Sequence, residues 1–344
     1  FGPQHLWICS AIAMKAGGAL LVSWTYLWGA CTLMDVWQQP HNWPSSSWRI
    51  ICATTTVVAW VRPSPLTLMT AMAFRNGARL VKMPYIFDSD IWAFMFDGAL
   101  VLSLCSALSR RADVDAAVKE TGPTVKAILA MFYFGAGFWK FNTSFISART
   151  SCGSVFTASL LAQMWPQAWG EPSDFVARLA VGIGPWMTIG GECAAGVVLA
   201  MPGKVWRLMG LACVLMLHLG ISYTPFPNGI ANFSYTSATR YYFLLPEATC
   251  EALAELMSAP RTLQDLTTRA AYAVAIAMAW HFGKAAGVQH MGAVYFSALA
   301  ALYARAAWLE ARRQIPALEP PAIGAAGRVV LAVCGFWAFG AQIL

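Results

Sequence analysis

Charge is what this sequence has least of. Only 11% of its 344 residues are Asp, Glu, Lys or Arg, where soluble domains carry about 25%. Hydrophobic residues make up 58%. Such a chain has too little polar surface for an ordinary soluble domain, and it reads as an all-α integral membrane protein. Its apolar runs are continuous rather than alternating, which argues against a transmembrane barrel and for helices. The nine cysteines form no CxxC pair, so zinc and iron–sulfur sites are unsupported. The net charge of +7 is spread through loops rather than gathered into a stripe. It is read as topology and headgroup contacts, with membrane lipids and no nucleic acid as partners. There is no internal repeat. The expectation is one transmembrane domain over residues 1–344, a polytopic bundle of about eight to ten helices.

The chain opens on Phe1. That start suits either a mature chain that has lost a presequence, as in an organelle, or a trimmed one. Leu6–Leu33 reads as the first span, with Lys15 snorkelling, and Asp35–Trp48 as an interfacial loop bearing Trp37, Trp43 and Trp48. Pro63 and Pro65 break the next apolar stretch, and the basic residues Arg75, Arg79 and Lys82 follow on the positive side of the membrane. Ile91–Leu108 is a span containing Asp97, which needs a partner if it faces the bundle. Arg110–Pro123 reads as a solvated loop and Val125–Phe141 as a helix. Asn142–Asp174 reads as an extramembrane excursion with an amphipathic piece, Val155–Trp165. Arg269–Phe282, Met291–Trp308 and Val329–Leu344 supply the C-terminal helices of residues 269–344.

Ionisable residues inside apolar runs mark functional sites by default. Lys140 ends the run Ala127–Asn142, among Phe132, Tyr133, Phe134, Phe138, Trp139 and Phe141. It reads either as a snorkelling lysine or as a reactive amine in an aromatic pocket. Glu192 and His218 sit on the two arms of a helical hairpin about Pro202–Gly203. At about 1.5 Å per residue they lie roughly 17 and 21 Å from the turn, at similar depth. They form either a buried pair or two separately bonded polar groups. Ile230–Pro246 is semi-polar and carries Arg240 mid-segment, so it is expected to be shielded from lipid. Lys140, Glu192 and His218 are the candidate catalytic residues. Tyr133, Trp139 and Arg240 are the candidate contacts for a cofactor, a quinone or a bound lipid. No metal site is expected.

Three stretches in order carry a resemblance. FYFGAGFWKF at 132–141, the hairpin GGECAAGVVLAMPGKVWRLMGLACVLMLH at 190–218, and IANFSY at 230–235 together resemble the membrane domain of vitamin K-dependent gamma-carboxylase and the horizontally transferred transmembrane (HTTM) domain proteins. The likeness covers about residues 85–246. It implies that Lys140 matches the lysine that deprotonates vitamin K hydroquinone, a reaction coupled to adding carbon dioxide to a glutamyl side chain. A lysine in an apolar pocket can be neutral, as a base must be. A carboxylase relative would lie in the endoplasmic reticulum. The chain departs from that pattern. There is no His between His41 and His218, where the family has an assisting histidine, and no large lumenal domain. The leading reading is therefore a non-catalytic structural or accessory subunit of a larger membrane complex, in the mitochondrial inner membrane or a plastid membrane. A membrane enzyme using Lys140 on a quinone or lipid is the alternative, and a transporter the second.

Overall fold

The computed structural model describes residues 18–38, 43–83, 88–224, 231–245, 250, 295–303 and 328. Lys15, the helix at 269–282 and that at 329–344 lie outside them. Every regular element among the described residues is helical. In chain order these are α1 (Ala19–Gln38), α2 (Ser46–Val61), α3 (Pro65–Lys82), α4 (Asp88–Arg110), α5 (Val114–Trp139), the single turn α6 (Thr143–Ile146), α7 (Cys152–Met164), α8 (Asp174–Ala200), α9 (Lys204–Tyr223) and α10 (Ala231–Arg240), with 3-10 turns at Gln167–Trp169 and Tyr241–Leu244 and helical residues at 295–303. Four are long and apolar enough to cross a membrane: Ala19–Val36, Ser89–Arg110, Asp174–Ala200 and Lys204–Tyr223.

The chain divides into two compact units. The first holds Phe1–Val125, Thr239–Arg269 and Pro320–Leu331, and the second holds Lys126–Ala238, Ala270–Glu319 and Ala332–Leu344. In the first, α1 runs on to Gln38, so Asp35 is helical where the sequence suggested a loop. Its carboxylate is buried against Arg75, and that contact needs the last turn of α1 to stay wound. The proline pair at 63 and 65 does break the helix. Ser64 caps α3 in a reciprocal capping box with Thr67, and Pro65 takes the first turn, where its missing N–H costs nothing. The solvated loop expected at Arg110–Pro123 is a correction: α5 begins at Val114 and carries Pro123 inside it. Asp115, expected in that loop, instead accepts from the amides of Leu20 and Leu21 at 3.3 and 3.2 Å. It satisfies two of the orphan donors at the start of α1.

In the second unit α8 is the axis. From Lys126 onward α5 runs antiparallel along its C-terminal half. The Lys126 amine donates to the Met201 carbonyl at 2.8 Å. A Cβ on Gly196 would lie 2.5 Å from the Phe134 amide nitrogen, and one on Gly137 would lie 2.6 Å from Cys193 Sγ. These helices touch backbone to backbone, the close approach that small residues permit between membrane helices. On the N-terminal half of α8 the neighbour is α7. Ser154 donates to the Val181 carbonyl at 2.7 Å, and a Cβ on Gly184 would lie 2.6 Å from the Gly153 carbonyl oxygen. The Val155–Trp165 piece read as an extramembrane excursion is thus part of a helix packed on α8. The hairpin α8–α9 forms as expected about Gly203, whose φ of 98° suits only glycine without strain.

Steric room predicts which glycines matter. Gly196→Ala places a methyl against the backbone of α5, whereas nothing lies within 4 Å of a Cβ on Gly190. Gly196→Ala is expected to lower stability by about 1–3 kcal/mol, in the range of overpacked cores. Gly190→Ala is expected to be neutral or stabilising. Thermal unfolding of the two variants in the same detergent checks this, and equal midpoints would refute the close α5–α8 contact.

Candidate functional site

The second unit brings two of the three candidate catalytic residues together. Lys140, the first residue after α5, reaches Glu192 on α8 in a direct ion pair. The Lys140 side chain is 27% exposed and that of Glu192 is 8% exposed. Backbone bonds hold the lysine in place. Its amide donates to the Gly137 carbonyl at 3.2 Å, and the Asn142 side-chain amide donates to the Trp139 carbonyl at 2.9 Å, which closes the end of α5. The aromatic pocket is only half present. Phe132 and Tyr133 are buried, but Phe134, Phe138 and Phe141 are exposed. The ammonium also lies 5.7 Å from the centre of the Phe145 ring.

His218 is not Glu192's partner. Its Nε2 meets the Tyr133 hydroxyl at 2.7 Å and its Nδ1 meets the Ser234 hydroxyl at 3.1 Å. Phe233 lies edge-on at 4.6 Å. The histidine and its two hydroxyl partners are buried, a polar pin joining α5, α9 and α10. Tyr133, a candidate cofactor contact, is thereby committed to His218. Trp139 is half-buried and stands edge-on to Phe138 at 5.6 Å.

Arg240, the third candidate contact, belongs to a different cluster in the first unit. It donates to Asp97 at 2.8 Å, and Arg79 donates to the other Asp97 oxygen at 2.7 Å. The Trp28 indole also hydrogen-bonds Asp97. Arg75 pairs with Asp35 and lies 3.7 Å from Asp90, which is 3.5 Å from Arg79. Three arginines and three aspartates are thus linked in a series that is buried except at the half-buried Asp90. The reading of Arg75 and Arg79 as headgroup contacts is overturned: both are buried, where Asp35, Asp90 and Asp97 compensate their charges. Burial opposes the Arg75 charge, but Asp35 and then Asp90 outweigh it, so Arg75 is held above its ordinary range. At Arg79, burial and then the neighbouring Arg75 charge prevail and lower it. Ile230–Pro246 is buried throughout 234–245 except for the half-exposed Thr236 and Phe243.

Among the described residues no group of His, Cys, Asp and Glu could hold a metal ion. No protein-family model, curated protein or solved structure matches the chain.

Two energetic tests follow. Glu192→Gln strands a cation, and Lys140→Met strands a buried carboxylate. Each is expected to cost up to about 3–5 kcal/mol, less for the partly exposed lysine. The double variant Lys140→Met/Glu192→Leu recovers much of the loss, and an additive double-mutant cycle would show that the pair is not coupled. Asp97→Asn removes the carboxylate that Arg79 and Arg240 share and is expected to lower the unfolding midpoint more than Asp174→Asn, whose carboxylate is exposed. Equal effects would remove Asp97 from the centre of its cluster.

Proposed function

We propose that this chain is a polytopic helical membrane protein of HTTM or carboxylase-like type, and that it serves as a non-catalytic structural or accessory subunit of a larger organellar membrane complex. The observation that carries this reading is the Lys140–Glu192 pair. A general base must offer a lone pair. The Lys140 nitrogen is engaged by the Glu192 carboxylate rather than presented to a substrate. Asp97, another charge within a membrane-length helix, is likewise committed to Arg79 and Arg240. Charges compensated in this way support architecture better than turnover. The apolar side chains that α8 and α9 leave exposed, among them Phe175, Trp186, Met187, Val205 and Met216, suit lipid and neighbouring subunits alike. The mitochondrial inner membrane and plastid membranes are the organellar settings that fit.

One observation favours the enzyme reading instead. Lys140 keeps 27% of its side chain exposed, so a quinone or lipid headgroup could displace Glu192 from it. Purification from the native membrane in mild detergent separates the two. A subunit elutes with fixed-stoichiometry partners in a particle far larger than the 37.3 kDa chain. A monodisperse particle of this chain alone would reject the subunit reading. Quinone or lipid turnover abolished by Lys140→Ala with the fold intact would then establish the enzyme.

A further inference from the structure

The contacts along α8 place a break inside what is otherwise one long antiparallel neighbour. From Lys126 opposite Met201 to Lys140 opposite Glu192, that neighbour is α5. From Gly153 opposite Gly184 onward it is α7. Residues 140–151 join the two. Met201 ends α8, so at about 1.5 Å per residue Glu192 lies roughly 13 Å inside that end and roughly 27 Å from the other, at Asp174. Gly191 faces Leu217 of α9, whose Cδ1 would lie 3.9 Å from a Cβ on that glycine, so the same level falls within that span as well. Both α8 and α9 are apolar enough to cross a membrane. The break therefore sits well below the headgroups.

Its composition is wrong for that depth. Asn142, Thr143, Ser144, Ser147, Arg149 and Thr150 are all exposed. Irregular, polar backbone within the hydrocarbon layer persists only where protein or water covers it, and an exposed arginine there is costly in lipid. Discontinuous helices of this kind line solute sites in membrane proteins. Two cations border the break. Lys140 is neutralised by Glu192, while Arg149 has an exposed side chain and leaves the recess with a positive bias.

We propose that residues 140–151 line a hydrated recess that reaches from one aqueous face to the Lys140–Glu192 pair and admits small anions in preference to cations. The inference uses the spanning of α8 and α9.

Cysteine labelling of the full chain tests it, in native membranes and in lipid nanodiscs, with the modified position read by peptide mass spectrometry. Ser147→Cys probes the recess, Glu171→Cys an exposed turn, and Met187→Cys the lipid-facing side of α8. The reagents are a sulfonate-bearing and a trimethylammonium-bearing methanethiosulfonate. Ser147→Cys is expected to react within about tenfold of Glu171→Cys and far faster than Met187→Cys, because charged reagents do not enter hydrocarbon. The sulfonate reagent should be favoured there, and Arg149→Gln should reduce that preference about two- to fivefold, the effect of one unit charge nearby in a wet site. Three results would overturn the proposal. The first is a Ser147→Cys as silent as Met187→Cys in both preparations, or silent only in native membranes, where a partner would then cover it. Equal reactivity of Met187→Cys and Ser147→Cys would remove the depth argument. Faster labelling by the cationic reagent would reject the anion preference.

Discussion

A charge taken out of water must be met by another, and in this chain that requirement decides which helices touch. Asp97 on α4 is fully buried, and it draws Arg79 from α3 and Arg240 from the end of α10 onto its two oxygens. Arg75, one turn before Arg79, then meets Asp35 at the end of α1. The directionality of guanidinium–carboxylate bonds sets the register among these elements more narrowly than apolar side chains could. In a bilayer the requirement is sharper, because lipid tails supply neither hydrogen bonds nor a hydrophobic reason for helices to associate.

The second unit reaches a similar end by a different route. There the helices are held by proximity. Gly137, Gly196 and Gly184 remove side chains where α5 and α7 meet α8, so dispersion contacts between backbones replace interlocking side chains. Polar pins then fix the register: Lys126 on the Met201 carbonyl, Ser154 on the Val181 carbonyl, and His218 between Tyr133 and Ser234. Close packing supplies attraction without direction, and the pins supply direction with little area.

How much of this can be read from the sequence follows from range. The hairpin about Gly203 is legible because its signals are local: a proline, a glycine and two apolar runs. The break at Pro63 and Pro65 is local too. Similar depth for Glu192 and His218 follows from helix rise, but depth does not say which way a side chain points around the helix, and the two turn to different partners. The arginine–aspartate series is not legible. Its members are separated by 40, 18 and 143 positions, and a basic triplet after an apolar run carries the same local signal as a headgroup cluster. Asp115 escapes a local reading for a related reason. A polar stretch before Pro123 resembles a loop until the helix that it caps, α1, is brought beside it.

The Lys140–Glu192 pair can be taken apart by asking which partner needs the other. A cation just past the end of a helix is favourable by itself, since the last carbonyls of α5 leave partial negative charge there. Lys140 is also the more exposed of the two, so it could turn toward water at small cost. Glu192 has neither advantage. It lies within α8, whose own amides are bonded along the helix, and nothing local favours an anion there. Without Lys140 it would be an uncompensated buried carboxylate beside the Gly137–Cys193 contact, which costs about 3–5 kcal/mol. The dependence therefore runs from glutamate to lysine. Lys140 at the end of α5 is what permits an acid at this depth of α8, and Glu192 in turn ties the end of α5 to α8 at the point where the chain leaves the helix.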